Sequence, residues 1–134
     1  PYTYHSDVLS LARSVDFLVI ACPGGDSTRH LISAAVIDAL GPNGVLVNVA
    51  RGSVVDETAL CAALDSGRLG AAALDVFERE PHVPSALIQS NKTVLLPHIA
   101  SGTQETREAM GQLVVDNLAA FYKGEPLLTP VATD

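Results

Sequence analysis

Four short apolar runs, separated by segments with helical patterning, restrict the folds open to this chain more than any other feature. The runs are FLVIAC at 17–22, VLVNVA at 45–50, AAALDVF at 71–77 and TVLL at 93–96. Continuous apolar runs of this length are typical of strands that are buried on both faces. Buried strands that alternate with helices through short connections predict an α/β fold, in which a parallel sheet is covered by helices on both sides.

Helical patterning fills the intervals between these runs, and turn residues mark its ends. The sequence predicts a first helix capped at Ser6, a second that starts at Ser33 and stops at GPNG, and a third from Asp56 to Gly67. A helical turn is expected at 85–89, and a long helix from 104 to 124 follows the last strand.

The composition of the 134 residues bears on which partners to expect. The formal net charge is −7 and the sequence pI is about 4.8, with only 8 Lys and Arg residues. Nucleic acids and anionic membranes bind basic surfaces, so neither is an expected partner. Cys22 and Cys61 lack metal-ligand or CxxC spacing, and His5, His30 and His82 are not grouped. We therefore expect no metal site and a reducing, cytoplasmic location.

Ionisable residues follow the ends of three predicted strands, where parallel sheets bind their ligands. Arg51 follows the second run, Glu80 the third and His98 the fourth. Asp75 lies inside the third run, where a buried carboxylate needs a partner from the protein or from a ligand.

Taken singly, these residues have ordinary interpretations. Arg51 could reach out to pair with Asp56, Glu80 could be a solvated loop charge, and His98 could be a structural histidine. Taken together, they supply a fork for a carboxylate and a histidine beside a carboxylate, which is the pattern of an acid–base site for an anionic substrate.

Three blocks, LVNVARGSVVDE, ALDVFEREP and LLPHIASGTQETREAM, resemble in the same order those of the D-isomer-specific 2-hydroxyacid dehydrogenases. With ACPGGDSTRHLI as a supporting block, the sequence is most similar to the glyoxylate/hydroxypyruvate reductases of that family. The resemblance implies a Rossmann-like nucleotide-binding domain and hydride transfer between NAD(P)H and a small 2-keto acid, giving the D-2-hydroxy acid. It leaves NAD and NADP open, with a slight preference for NADP, and implies a homodimer for the full-length protein.

The resemblance also implies a role for individual positions. Arg51 would bind the substrate carboxylate and carbonyl, and Glu80 would hydrogen-bond His98. His98 would give its proton to the keto oxygen, and Asp75 would hold the nicotinamide carboxamide. The implied cofactor contacts, besides Asp75, are Cys22, Pro23, Val49, Ala50, Arg51, His98, Ala100 and Ser101.

The chain departs from the family pattern in its extent. Family members run to about twice this length or more, and the first βαβ part with the Gly-rich GxGxxG turn is missing here. We therefore expect the C-terminal part of an enzyme. Residues 1–101 would be the C-terminal portion of the NAD(P)-binding domain with the catalytic residues, and 102–134 a crossover helix and tail returning to the substrate-binding domain. Such a fragment is expected to bind dinucleotide poorly and to lack useful turnover.

Two alternatives stay open at this point. The substrate could be of the phosphoglycerate dehydrogenase type: no second anion-binding cluster is visible in the sequence, but the missing N-terminal half could hold one. The family also contains transcriptional corepressors that retain the Arg, Glu and His, so a non-enzymatic, NAD(H)-sensing scaffold is a second reading. A full-length protein that oxidises NAD(P)H only when a keto acid is added would be the enzyme.

Overall fold

A computed structural model describes residues 2–131, which fall into two compact units that divide between His98 and Ile99. The first unit is built on a four-stranded parallel sheet in which the strands stand side by side in chain order. Its strands are β1 (Phe17–Ile20), β2 (Val45–Asn48), β3 (Ala71–Leu74) and β4 (Thr93–Leu95). The predicted α/β, Rossmann-like fold is confirmed.

All five predicted helices are present. They are α1 (Val8–Ala12), α2 (Ala34–Leu40), α3 (Glu57–Asp65), α4 (Ser85–Gln89) and α5 (Gln104–Lys123). Two short 3₁₀ turns, Asp26–Thr28 and Gly52–Val54, follow β1 and β2. In the part of the chain that the structure describes, no helix has both the length and the apolar character needed to cross a bilayer.

The helix ends follow the predicted turn chemistry with one exception. The Asp56 carboxylate caps α3 by accepting from the Ala59 N–H at 3.0 Å, and Gly41 ends α2 with a φ of 83°. The prediction of Ser6 as the first cap is wrong. Asp7 takes that position, because α1 begins one residue later and the Asp7 carboxylate accepts from the Ser10 N–H at 2.8 Å.

The sheet has one buried face and one open face in the first unit. Residues Leu18 and Leu46 pack into the core with α1, α2 and α3, whereas Phe17 and Val19 of β1 are 66% and 59% exposed. The prediction that every strand is buried on both faces is therefore wrong for the described residues. The apolar runs place apolar side chains on both faces of the sheet, but the helices of this unit cover only one face.

All four predicted strands are shorter than their apolar runs. β1 ends at Ile20, β2 at Asn48, β3 at Leu74 and β4 at Leu95, because the chain then leaves the sheet to form the loops at its carboxyl edge. Asp75 consequently follows β3 rather than interrupting it. It is 3% exposed, and its N–H donates to the Asn48 carbonyl at 3.0 Å.

The second unit consists of α5 and the segments at its two ends. The Thr103 hydroxyl caps α5 by accepting from the Thr106 N–H at 3.2 Å, and Gly124 ends it with a φ of 72°. The Asn117 amide donates to the Thr129 hydroxyl at 3.0 Å, which ties the following tail to the helix.

Candidate functional site

The carboxyl ends of the four strands open into one cavity of about 780 Å³. A parallel sheet binds ligands at this edge, because the loops after every strand converge there. The cavity receives predicted site residues from the loops after each of the four strands. They are Cys22, Pro23, Val49, Ala50, Arg51, Glu80 and His98.

Glu80 holds His98 through a direct hydrogen bond. The His98 Nδ1 lies 2.8 Å from Glu80 Oε2, and Glu80 Oε1 accepts from the Phe77 N–H at 3.0 Å. An ionised carboxylate can only accept, so the proton of this hydrogen bond belongs to Nδ1. The Nε2 of His98 is then the nitrogen left to exchange a proton with a ligand.

The electrostatics of Glu80 agree with this contact. The hydrogen bond from His98 holds the pKa of Glu80 below its usual value of 4.5, and the Phe77 N–H and the charge of Arg51 act in the same direction. Glu80 is therefore ionised near neutral pH. Its ionised carboxylate is then an acceptor for the Nδ1 proton of His98.

The backbone of His98 adopts a left-handed conformation, with a φ of 55°. Residues with a side chain seldom adopt positive φ, and such strain is often found at functional sites. His98 follows Pro97 at the end of the loop after β4, and its side chain is 46% exposed. The loop thus turns the imidazole out of the sheet and toward the Glu80 carboxylate.

Arg51 enters the cavity from the loop after β2. Its Nη1 donates to the Ala50 carbonyl at 2.6 Å, and its charge acts on Glu80 from across the cavity. None of the ion pairs found in residues 2–131 joins Arg51 to Asp56, which was the alternative interpretation of Arg51. The Asp56 carboxylate instead accepts the capping hydrogen bond at the start of α3.

Two glycines bring the loops close enough to form the cavity. A Cβ built on Gly52 would lie 2.0 Å from the Phe77 carbonyl carbon, and one on Gly24 would lie 2.7 Å from Arg51 Cγ. Gly52 thus lets the loop after β2 touch the backbone after β3. Gly24 leaves room for the stem of Arg51.

Three of the predicted cofactor residues are not among those that line the cavity. Asp75 is buried and does not line the cavity. Ala100 and Ser101 belong to the second unit, in a turn that the Gly102 N–H closes by donating to the Ile99 carbonyl at 2.7 Å. Their contacts with a cofactor stay predictions.

A second charged cluster at the cavity wall had no signal in the sequence. Glu78 Oε1 accepts from Arg29 Nη2 at 2.8 Å and lies 3.0 Å from His30 Nε2. The hydrogen bond with His30 holds the pKa of Glu78 below its usual value. The partners are 48 and 49 positions apart, so only the fold brings them together.

Small residues make up much of the cavity lining beside the His98 and Arg51 side chains. The described residues contain no group of three or more side chains able to hold a metal ion. The cavity lining offers an imidazole at His98 and a guanidinium at Arg51 as hydrogen-bond donors.

Comparison with known families gives a match over most of the chain. Residues 2–100 match the family described as "D-isomer specific 2-hydroxyacid dehydrogenase, NAD binding domain". The matched segment contains Cys22, Pro23, Arg51, Glu80 and His98, all of which line the cavity.

Curated relatives match the chain almost end to end. Hydroxyphenylpyruvate reductase of Plectranthus scutellarioides is 58% identical over 97% of this chain and 42% of the relative. A glyoxylate/hydroxypyruvate reductase A of Arabidopsis thaliana is 56% identical over the same shares. The chain therefore spans less than half the length of these relatives.

A solved structure is similar to this chain in both fold and sequence. It is the NADPH-dependent glyoxylate/hydroxypyruvate reductase of Sinorhizobium meliloti in complex with NADP and malonate. The TM-score is 0.95 at 51% identity, over 98% of this chain and 41% of that one.

Proposed function

The chain belongs to the D-isomer-specific 2-hydroxyacid dehydrogenase family, and we propose that it is the C-terminal part of an enzyme that reduces a small 2-keto acid with NAD(P)H. The product is the D-2-hydroxy acid. Residues 1–101 complete the NAD(P)-binding domain and carry the catalytic groups, and 102–134 return to a substrate-binding domain. The full-length protein is a cytoplasmic homodimer.

One observation carries this proposal: the 2.8 Å contact between Glu80 and His98 in a cavity that Arg51 also lines. A phosphate- or sugar-binding site would not need an imidazole held in one tautomer by a carboxylate. An acid–base reaction on an anionic substrate needs both groups.

Each residue has a distinct task in the proposed reaction. A bound reduced nicotinamide supplies the hydride. Arg51 binds the substrate carboxylate and faces the carbonyl oxygen, on which negative charge develops as the hydride arrives. His98 donates the proton from Nε2 to that oxygen, and the fixed charge of Glu80 stabilises the imidazolium before the transfer. In the oxidative direction His98 takes the proton back.

The relatives favour glyoxylate and hydroxypyruvate as substrates and NADP as the cofactor. The Arabidopsis thaliana relative and the Sinorhizobium meliloti structure both carry glyoxylate/hydroxypyruvate reductase names, and the latter is NADPH-dependent. The Plectranthus scutellarioides relative is a hydroxyphenylpyruvate reductase, so an aromatic keto acid belongs in the same test.

The decisive experiment uses the full-length protein. We expect it to oxidise NADPH when glyoxylate or hydroxypyruvate is added, more slowly with NADH, and to yield the D-hydroxy acid on a chiral column. Preference for phosphohydroxypyruvate would favour the phosphoglycerate type of substrate. Tight NAD(H) binding without oxidation in the presence of any keto acid would favour the scaffold and contradict the proposal.

A further inference from the structure

Asn48 is a buried polar residue that the proposed reaction leaves without a task. It ends β2 and is 1% exposed, and with Asp75 it makes up the buried polar residues of the described part of the chain. A buried amide is unfavourable unless its donor and acceptor are both satisfied, so its partners show what it holds.

Both ends of the Asn48 side chain bind the turn that leads to Arg51. The side-chain Oδ1 accepts from the Ala50 N–H at 3.0 Å, and Nδ2 donates to the Arg51 carbonyl at 3.0 Å. The same turn accepts the Arg51 guanidinium, whose Nη1 donates to the Ala50 carbonyl at 2.6 Å. The backbone and the head group of Arg51 are therefore tied to one short loop around Asn48.

The sheet holds Asn48 itself in place. The Asn48 carbonyl accepts from the Asp75 N–H at 3.0 Å, and the next residue, Val49, donates its N–H to Ile20 at 3.3 Å. The backbone of Asn48 and Val49 is thus held by Ile20 on one side and by Asp75 on the other. A displacement of the Arg51 backbone carbonyl relative to the sheet would break its hydrogen bond to the Asn48 side chain.

We propose that Asn48 is a positioning residue that fixes Arg51 for the substrate carboxylate. The proposal rests on the proposed function, because it gives Asn48 an effect on activity through Arg51. Asparagine suits the position because it supplies one donor and one acceptor at the required reach. Aspartate of the same shape lacks the donor for the Arg51 carbonyl, and its second oxygen would face that carbonyl as another acceptor.

A double-mutant cycle on the full-length protein separates positioning from general stability. We expect Asn48→Asp to lower kcat/KM for the keto acid about 10- to 100-fold, as a displaced binding group does. In an Arg51→Ala background the same change should cost less than about twofold, since the group that it displaces is already gone. The dissociation constant of malonate, a carboxylate probe, should rise in the single variant and stay unchanged between Arg51→Ala and the double variant.

Asn43→Asp is the matched control. It makes the same chemical change in the exposed turn before β2, at the opposite end of the strand, and we expect wild-type kinetics from it. Asn48→Ser is a second variant, whose hydroxyl can still accept from the Ala50 N–H but cannot reach the Arg51 carbonyl. It should repeat the non-additive pattern with a smaller loss of thermal stability.

The outcomes divide cleanly. If the losses from Asn48→Asp and Arg51→Ala multiply in the double variant, Asn48 acts independently of Arg51 and the inference fails while the proposed function stands. If neither Asn48 variant folds, its role is structural and the inference also fails. If the wild-type protein and Asn43→Asp reduce no keto acid, the proposed function fails first and the inference falls with it.

Discussion

At His98, a single hydrogen bond sets which side of the imidazole can work. With Nδ1 held by Glu80 at 2.8 Å, the chemistry is left to Nε2, and the left-handed backbone of the residue turns the ring toward that contact. The proposed proton transfer therefore depends on these two side chains.

Replacing His98 with Gln removes the proton donor while keeping a polar side chain of similar reach. We expect kcat for keto-acid reduction in the full-length protein to fall about 10²- to 10⁴-fold, the usual contribution of a general acid. The dissociation constant for NADPH, measured by fluorescence, should be nearly unchanged, and His5→Gln should behave as wild type. Unchanged turnover would return His98 to a structural role.

Replacing Glu80 with Gln removes the carboxylate that accepts from His98 Nδ1. We expect kcat/KM for keto-acid reduction to fall about 10- to 100-fold, because an amide can also turn its NH₂ group toward Nδ1 and so no longer fixes the proton there. An unchanged kcat/KM would show that Glu80 has no part in the proton transfer.

The same variant tests stability against pH. Because folding lowers the pKa of Glu80, its charge stabilises the folded state above the usual value of 4.5, and this contribution is lost as the pH falls through the lowered pKa. The difference in urea midpoint between wild type and Glu80→Gln should therefore be present at pH 7 and shrink in acid. A difference that is constant with pH would contradict this assignment.

The elements explain why these side chains meet. β1, β2, β3 and β4 run parallel and in chain order, so the loops after them open at one edge. Close approach between the loops depends on Gly52, where even a methyl group would overlap the backbone of Phe77. The shape of the cavity thus depends on this contact between the loops as well as on the strands.

Gly52→Ala tests this contact. An added Cβ at 2.0 Å from a backbone atom cannot be absorbed by a side-chain rotation, so the loops must separate. We expect a loss of at least about 1–3 kcal/mol in the free energy of unfolding, measured by urea unfolding of the 134-residue chain. Gly111→Ala, within α5 and with nothing within 4 Å of its Cβ position, is the matched control. It should gain about 0.5–1 kcal/mol, since alanine favours a helix interior.

At the level of the whole molecule, the 134-residue chain accounts for less than half the length of the relatives that it matches. It spans 42% of its curated relatives, carries no GxGxxG turn, and leaves Phe17 and Val19 exposed on the open sheet face. A large exposed apolar surface on a sheet is ordinarily an interface.

The isolated 134-residue chain is therefore expected to be inactive. It carries the residues proposed to face the nicotinamide but has no Gly-rich turn of the kind that binds a pyrophosphate, so NADPH should bind far more weakly than to the full-length protein. Calorimetric titration and a glyoxylate reduction assay check this, with the full-length protein measured beside it. Detectable turnover by the chain alone would refute the expectation.

The sequence by itself determined the α/β class, the order of strands and helices, most helix ends and the family. It could do so because strand length, apolar runs and capping residues are local properties. It also placed Arg51, Glu80 and His98 at strand ends, since ligand sites in parallel sheets follow from topology. The burial of the second sheet face was predicted wrongly, because an apolar run does not say whether this chain supplies the layer that covers it.

Only the tertiary structure decided which atoms meet. No local sequence pattern encodes the side-chain geometry of three contacts. They are the contact between Glu80 Oε2 and His98 Nδ1, the ion pair of Glu78 with Arg29, and the hydrogen bond from the Asn48 side chain to the Arg51 carbonyl. Apolar runs locate each strand to within a few residues, but hydrogen bonds require positions within a few tenths of an ångström. Those positions arise only when the loops after all four strands pack together at one edge of the sheet.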